Sequence, residues 1–217
     1  MSVADPPGTD RLSARLRAET RADHNAAQGS GFLDGLAAGR LPAAAYADLV
    51  AQHYVIYETL EQAALAMVDD PVAGDFVRPE LNRVPALTRD LAFLVGPDWR
   101  DRIAVRPATS AYRARLVAVA FDRASAFVAH HYTRYLGDLS GGQYLGPAIA
   151  KWYGRDRDGH RFFVFEGVRP PAFRAAYRAM LDRISWPRAD EDAFMAEVAE
   201  AYRLNIALLA ELKDDWT

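Results

Sequence analysis

The chain has 217 residues, 51% of them hydrophobic, a formal net charge of −3 and no cysteine. That length and apolar content supply one large core or two small ones. The absence of cysteine excludes disulfides, thiolate metal sites and cysteine nucleophiles, and the mild acidity argues against a nucleic-acid surface, which needs a concentrated basic face.

No Gly/Ser-rich or Pro-rich linker divides the middle of the chain, which predicts a single helical domain over residues 11–217. Residues 1–10, MSVADPPGTD, read as a loose tail without the basic start and apolar run of a secretion signal. No apolar run approaches the roughly 20 residues that span a bilayer. A soluble, cytoplasmic protein with no membrane or nucleic-acid partner is therefore expected. Lys151 and Lys213 are the only lysines, so positive charge is carried almost entirely by arginine, the cation suited to bidentate carboxylate recognition.

A first helical pattern runs from about Asp10 to Gln28, with Leu12 and Leu16 one turn apart and Asp10 placed to cap it. His24 lies within it, and Arg17, seven residues earlier, falls on nearly the same face about 10 Å along the axis. The residues alone leave two readings open. One is an exposed histidine beside an exposed arginine, the commoner case; the other is an imidazole that holds a metal while the cation reaches the ligand's edge.

A second helix is predicted from Pro42, a favoured first helical position, to about Met67. Leu49, His53, Ile56, Leu60, Ala63 and Met67 form its apolar stripe, on which His53 reads as a packed, hydrogen-bonded side chain. Tyr54 and Tyr57 both suit aromatic packing there. Pro71, Pro79, Pro85, Pro97 and Pro107 break the next stretch into short helices and turns. A long helix is then expected from Pro107 onward, with Leu116, Ala120, Ala124, Phe127 and His131 on one stripe.

That helix leads into Gly137–Asp138–Leu139–Ser140–Gly141–Gly142, where three glycines within six residues each cost roughly 1 kcal/mol against alanine. Gly137 and Gly141 are four apart and share a face, so a flat ligand can lie against bare backbone at a kink, with Asp138 beside it. The plainer alternative ends or closely packs the helix here and pairs Arg134 with Asp138 at the surface. Further on, Pro170–Pro171 starts a helix that places Arg174 and Arg178 on one face. The last helix runs from about Asp190 to Leu212, and Asn205 interrupts its apolar stripe. An unpaired buried amide costs roughly 2 kcal/mol or more, so Asn205 needs a partner.

The string YTRYLGDLSGGQ, residues 132–143, resembles the signature of the haem oxygenases, in which a glycine-kinked distal helix lies over the haem face. LRAETRADH, HYVIYETLE, FRAAYRAML and AYRLNIALL resemble further helices of that family, and the likeness runs in family order from about Leu12 to Lys213. It implies an all-α bundle that holds haem b between a proximal N-terminal helix and the distal helix. The implied reaction cleaves bound haem to biliverdin, carbon monoxide and ferrous iron, using dioxygen and electrons from a ferredoxin with its reductase or from a flavoprotein reductase.

The resemblance also implies roles for individual residues. His24 is the axial iron ligand, and Arg17, Arg174 and Arg178 hold the propionates. Asp138 supplies a proton through ordered water, supported by Arg134 and Tyr54. Tyr132, Gly137, Ser140, Gly141, Gly142, Tyr202 and Asn205 line the pocket. A non-catalytic haem carrier or sensor on the same scaffold would have no use for Asp138. Gln28 stands where many relatives carry glutamate, and a neutral amide lends the ligand imidazole less anionic character. Gln28→Glu is therefore expected to lower the ferric/ferrous potential of the haem-loaded protein and to shift its Fe–His vibration, as read by spectroelectrochemistry and resonance Raman.

Overall fold

The computed structural model describes residues 11–22, 31–154 and 158–217. Its α-helices in chain order are α1 Leu12–Glu19, α2 Phe32–Ala37, α3 Ala43–Met67, α4 Val84–Leu94, α5 Trp99–Arg102, α6 Pro107–Val119, α7 Ala124–His131, α8 Gly137–Trp152, α9 Pro170–Leu181 and α10 Arg188–Trp216. Short 3-10 turns at Ala73–Phe76, Pro79–Leu81 and Arg161–Phe163 join some of them. There is no β-strand among the described residues, and none of their helices is long and apolar enough to cross a membrane.

Helix α3 starts one residue after Pro42, which caps it in an extended conformation, and ends at Met67 as the sequence predicts. Its apolar stripe understates its position. Every residue from 49 to 57 is buried, so α3 runs through the interior with α4, α6 and α7 packed around it. Gln52, a polar residue in that run, is fully used: it donates to Asp48 Oδ1 (2.8 Å) and the Ala104 carbonyl (3.0 Å), and accepts from the Arg106 N–H (3.0 Å). Those bonds tie α3 to the segment that leads into α6.

The long helix expected from Pro107 is broken. Helix α6 ends at Val119 and α7 begins at Ala124, with Arg123 extended between them. The break lets α6 and α7 each lie against α10. The stripe of Leu116, Ala120 and Ala124 contains no glycine or proline, so its periodicity carries no sign of the interruption.

A π-helical turn at Tyr132–Leu136 immediately precedes the glycines, while Gly137–Trp152 is an α-helix throughout. A π turn inserts an extra residue into the ladder and is a recognised cause of helix kinks.

Helix α1 begins at Leu12 with Arg11 as its extended cap; Asp10 lies outside the described residues. The Ser13 N–H and hydroxyl donate to Asp182 (2.9 and 3.0 Å), and Arg15 bonds Glu191 and Asp192. These contacts dock α1 onto α9 and α10.

Helices α6, α7 and α10 are joined by a buried charge cluster. Glu197 on α10 accepts from Arg115 Nε (2.9 Å) and faces His130 Nε2 at 2.9 Å. Burial pushes the Glu197 carboxyl up, but the hydrogen bonds from His130 and Arg115 outweigh it and hold its pKa at about 2, below the ordinary 4.5. A carboxyl depressed by folding stabilises the fold above its ordinary pKa and loses that contribution as pH falls toward the folded value. Glu197→Gln is expected to cost on the order of 2 kcal/mol at neutral pH and to flatten the acid-induced loss of stability between pH 4.5 and about 2, as measured by urea unfolding across that range.

Candidate functional site

Two cavities meet at the first turns of α8. The inner one, ≈ 480 Å³, reaches toward α3 and includes Arg134, Asp138, Gly141 and Asn205 in its wall. The outer slot, ≈ 350 Å³, opens between α1, α8 and α9 and includes Arg17, Tyr132, Arg174, Arg178 and Tyr202. Gly137 and Ser140 line both.

The glycines of α8 fall into two sets. A Cβ added at Gly137 or Gly141 meets nothing within 4 Å, so their bare backbone faces open space. A Cβ at Gly142 meets Phe163 Cδ1 at 3.4 Å, and one at Gly146 meets Phe163 Cβ at 3.0 Å. The second pair lets the Arg161–Phe163 turn pack closely; the first leaves room for something that the protein itself does not supply.

In the outer slot, Leu16, Leu136 and Leu181 form an apolar floor among guanidinium groups. Burial raises the Tyr132 hydroxyl pKa, and the charges of Arg178 and Arg17 oppose that rise, which places both cations near one ring. Arg174 Nη1 donates to the Ser140 hydroxyl oxygen at 3.1 Å. An apolar slot edged by several arginines suits a flat apolar molecule that carries carboxylates.

Behind the wall of the inner cavity, Tyr57 is fully buried and its hydroxyl donates to Asp138 Oδ2. Tyr135 and Phe162 hold the Tyr57 ring edge-on, with centroids 5.2 and 5.6 Å away. Burial pushes the Asp138 carboxyl well above the usual carboxylate range. That shift favours the protonated carboxyl, the form that can give a proton to a basic group formed beside it. Arg134 is 4% exposed; its Nη1 donates to Asn205 Oδ1 at 2.6 Å and its guanidinium lies over the Tyr57 ring at 5.1 Å. The half-buried Asn205 amide thus has Arg134 as its partner. Arg134 Nε and Nη2 are buried without a hydrogen-bond partner.

Twelve of the expected site residues come together in these walls: Arg17, Tyr132, Arg174, Arg178 and Tyr202 in the outer slot, Gly137 and Ser140 at the junction, and Arg134, Asp138, Gly141, Gly142 and Asn205 in the inner cavity. Tyr54 does not join them. Its hydroxyl donates to Glu58 at 2.6 Å and its ring packs edge-on against Trp99, centroids 4.7 Å apart, because α5 brings Trp99 to that side of α3. Tyr57, one turn on, is the tyrosine that reaches Asp138. His24 and Gln28 lie outside the described residues. His131 is a core residue, its Nδ1 3.0 Å from the Tyr177 hydroxyl and its pKa lowered to about 3 by burial. Sequence reasoning missed Tyr57 and Phe163 as site residues, although the four-residue step from His53 to Tyr57 marks one face of α3.

Comparison with known proteins places this geometry. The family model "Heme oxygenase" matches residues 10–211. The chain belongs to the haem oxygenase family. A "Heme oxygenase 1" of Nostoc sp. is 32% identical over 207 residues, which is 94% of this chain and 87% of the relative. The crystal structure of heme oxygenase-1 from Synechocystis sp. in complex with heme superposes with a TM-score of 0.88 at 31% identity, over 94% of this chain and 93% of that one. The heme oxygenase of Leptospira interrogans gives 0.86 at 30% identity, over 93% and 99%.

The residues present fit haem. The open Cβ directions at Gly137 and Gly141 admit a flat ring against α8, the slot floor is apolar, and Arg17, Arg174 and Arg178 can meet two carboxylates. The two sets of glycines then respond oppositely to the same change. Gly141→Ala is expected to keep or raise stability by up to roughly 1 kcal/mol through helix propensity, yet to weaken hemin binding because its Cβ enters the ligand's space. Gly146→Ala, which presses on Phe163, is expected to lower the melting temperature. Thermal unfolding of the haem-free variants and hemin titration of the Soret band check both.

Proposed function

We propose that the protein binds haem b and oxidises it to biliverdin, carbon monoxide and ferrous iron. The observation that carries this reading is the Asp138 carboxyl held by the buried Tyr57 beside the glycine-opened face of α8, with burial raising its pKa. A haem carrier would need the slot and its arginines, but no proton donor at the open face.

Bound haem supplies the iron at which dioxygen and reducing electrons are consumed. The chain's residues set the conditions around it. His24 on the N-terminal segment is the residue to hold the iron. Arg17, Arg174 and Arg178 hold the propionates, which fixes the rotation of the ring in its slot and so the meso carbon presented for attack, the α carbon being favoured. Gly137 and Gly141 keep the wall of α8 low, so backbone rather than side chain borders the reaction space. Asp138 delivers a proton there through ordered water, while Tyr57 fixes the carboxyl and Arg134, anchored on Asn205, adds a buried cation to the same wall. The electrons come from a ferredoxin with its reductase or from a flavoprotein reductase, in the cytoplasm.

Aerobic turnover tests this. Hemin added to the protein is expected to give a Soret band that bleaches to a biliverdin absorption when a reductant is supplied, with the α isomer as product. Stable haem binding without haem consumption would refute the reading. Asp138→Asn is expected to keep the Soret band and slow biliverdin formation by roughly 100-fold or more. A carboxyl raised by folding costs stability as pH climbs above its ordinary 3.8, so the Asn variant is expected to be at least as stable as the wild type at pH 8. His24→Ala is expected to lose activity and regain it with free imidazole.

A further inference from the structure

Among the polar side chains in the wall of the inner cavity, His53 is one that the proposed reaction has not used. His53 lies one helical turn before Tyr57 on α3 and lines the same cavity as Arg134 and Asp138. Its ring packs on Phe162, centroids 5.0 Å apart at 50°, and edge-on to Tyr57 at 6.4 Å and 74°. It is 8% exposed. Two aromatic neighbours fix the plane of the imidazole without offering it a hydrogen bond. Neither ring nitrogen makes a hydrogen bond to another described residue, and neither belongs to the sealed-off unpaired atoms of the core, so the partner expected from the sequence is not a protein group.

The imidazole is also held neutral. Burial first, and the charge of Arg134 second, push its pKa well below 6.5. Neutral imidazole has one N–H donor and one acceptor nitrogen, and at a cavity wall water can satisfy both. The same wall carries the apolar Leu33, Leu49, Leu145 and Phe163 together with Asp34, Arg134 and Asp138. A cavity of ≈ 480 Å³ has room for a chain of water molecules at about 30 Å³ each. Tyr144, 74% exposed, borders the same cavity and marks its mouth.

We propose that His53 is a positioning residue for haem oxidation, anchoring the inner end of a water chain that runs across the cavity to Asp138 and out to solvent beside Tyr144. The proposal rests on the reading of this cavity as the oxygen side of the haem. When Asp138 gives up its proton, the carboxylate takes one back from the adjacent water, and each water in turn is reprotonated by the next, the last by solvent. His53 keeps its own proton throughout. Its contribution is to hold water where Leu33, Leu49 and Phe163 alone would leave a dry void.

Two variants and one direct observation test this in the full-length chain. His53→Leu keeps bulk and removes hydrogen bonding; His53→Gln keeps a donor and an acceptor. In the haem-free wild type carrying ¹⁵N-labelled histidine, the His53 ring is expected to show a nuclear Overhauser contact to long-lived water. In the hemin-loaded protein, His53→Leu is expected to slow biliverdin formation by about tenfold, less than loss of the proton donor itself, with an enlarged solvent deuterium isotope effect and unchanged hemin affinity. His53→Gln is expected to restore most of the rate. Wild-type rate and isotope effect in His53→Leu, or absence of the water contact in the wild type, would overturn the proposal. A wild type that binds hemin without making biliverdin would sink the functional reading instead, and the water contact in the haem-free protein still decides whether His53 anchors water.

Discussion

The hydrogen bond from the Tyr57 hydroxyl to Asp138 joins the two halves of the molecule that matter most. Tyr57 belongs to α3, a helix with nine consecutive buried residues, so its ring is a fixed point set by the core. Asp138 sits in the first turn of α8, a helix whose glycines leave its outer face bare. Without that bond the carboxyl could follow α8 toward solvent and ionise there. With it, the position of one titratable group is determined by the packing of Tyr135 and Phe162 around one ring.

The glycines of α8 show how a destabilising feature is divided between folding and chemistry. Each costs roughly 1 kcal/mol relative to alanine. At Gly142 and Gly146 the protein recovers something in the folded state, because Phe163 packs where side chains would otherwise stand. At Gly137 and Gly141 it recovers nothing from its own atoms. The cost there is offset only when a ligand covers the bare backbone, which is why local rules of helix stability fail where function begins.

Much of the scaffold is legible in the sequence, because Pro42 and the stripe to Met67 mark α3, and Pro107 and Pro170 mark the starts of α6 and α9. What escapes is set by residues distant in the chain. The break between α6 and α7 follows from both helices lying on α10, and no local residue announces it. The burial of Gln52 depends on Ala104 and Arg106, more than fifty residues away. The need of Asn205 for a partner is readable from its place on an apolar stripe, but the identity of that partner, Arg134, is a fact of tertiary structure. The choice between Tyr54 and Tyr57 likewise turns on where Trp99 lands. The gathering of Arg17, Arg174 and Arg178 at one slot is legible only through the family resemblance, since they lie on helices at opposite ends of the sequence.

The electrostatics of the inner cavity depend on a pairing that the sequence invites and the fold refuses. Arg134 and Asp138 are four apart, and in a regular α-helix they would form an ion pair. An arginine that close lowers a carboxyl pKa by about one to three units, which would work against the protonated form of Asp138. The π turn at Tyr132–Leu136 lies across this interval, so the four-residue neighbour rule of the α-helix does not hold there. Arg134 is instead directed to Asn205 and the face of Tyr57, while Asp138 turns to the Tyr57 hydroxyl. Burial is then the one influence that moves the Asp138 pKa. The π turn thus separates two charges that sequence spacing would bring together, and that separation preserves Asp138 as an acid.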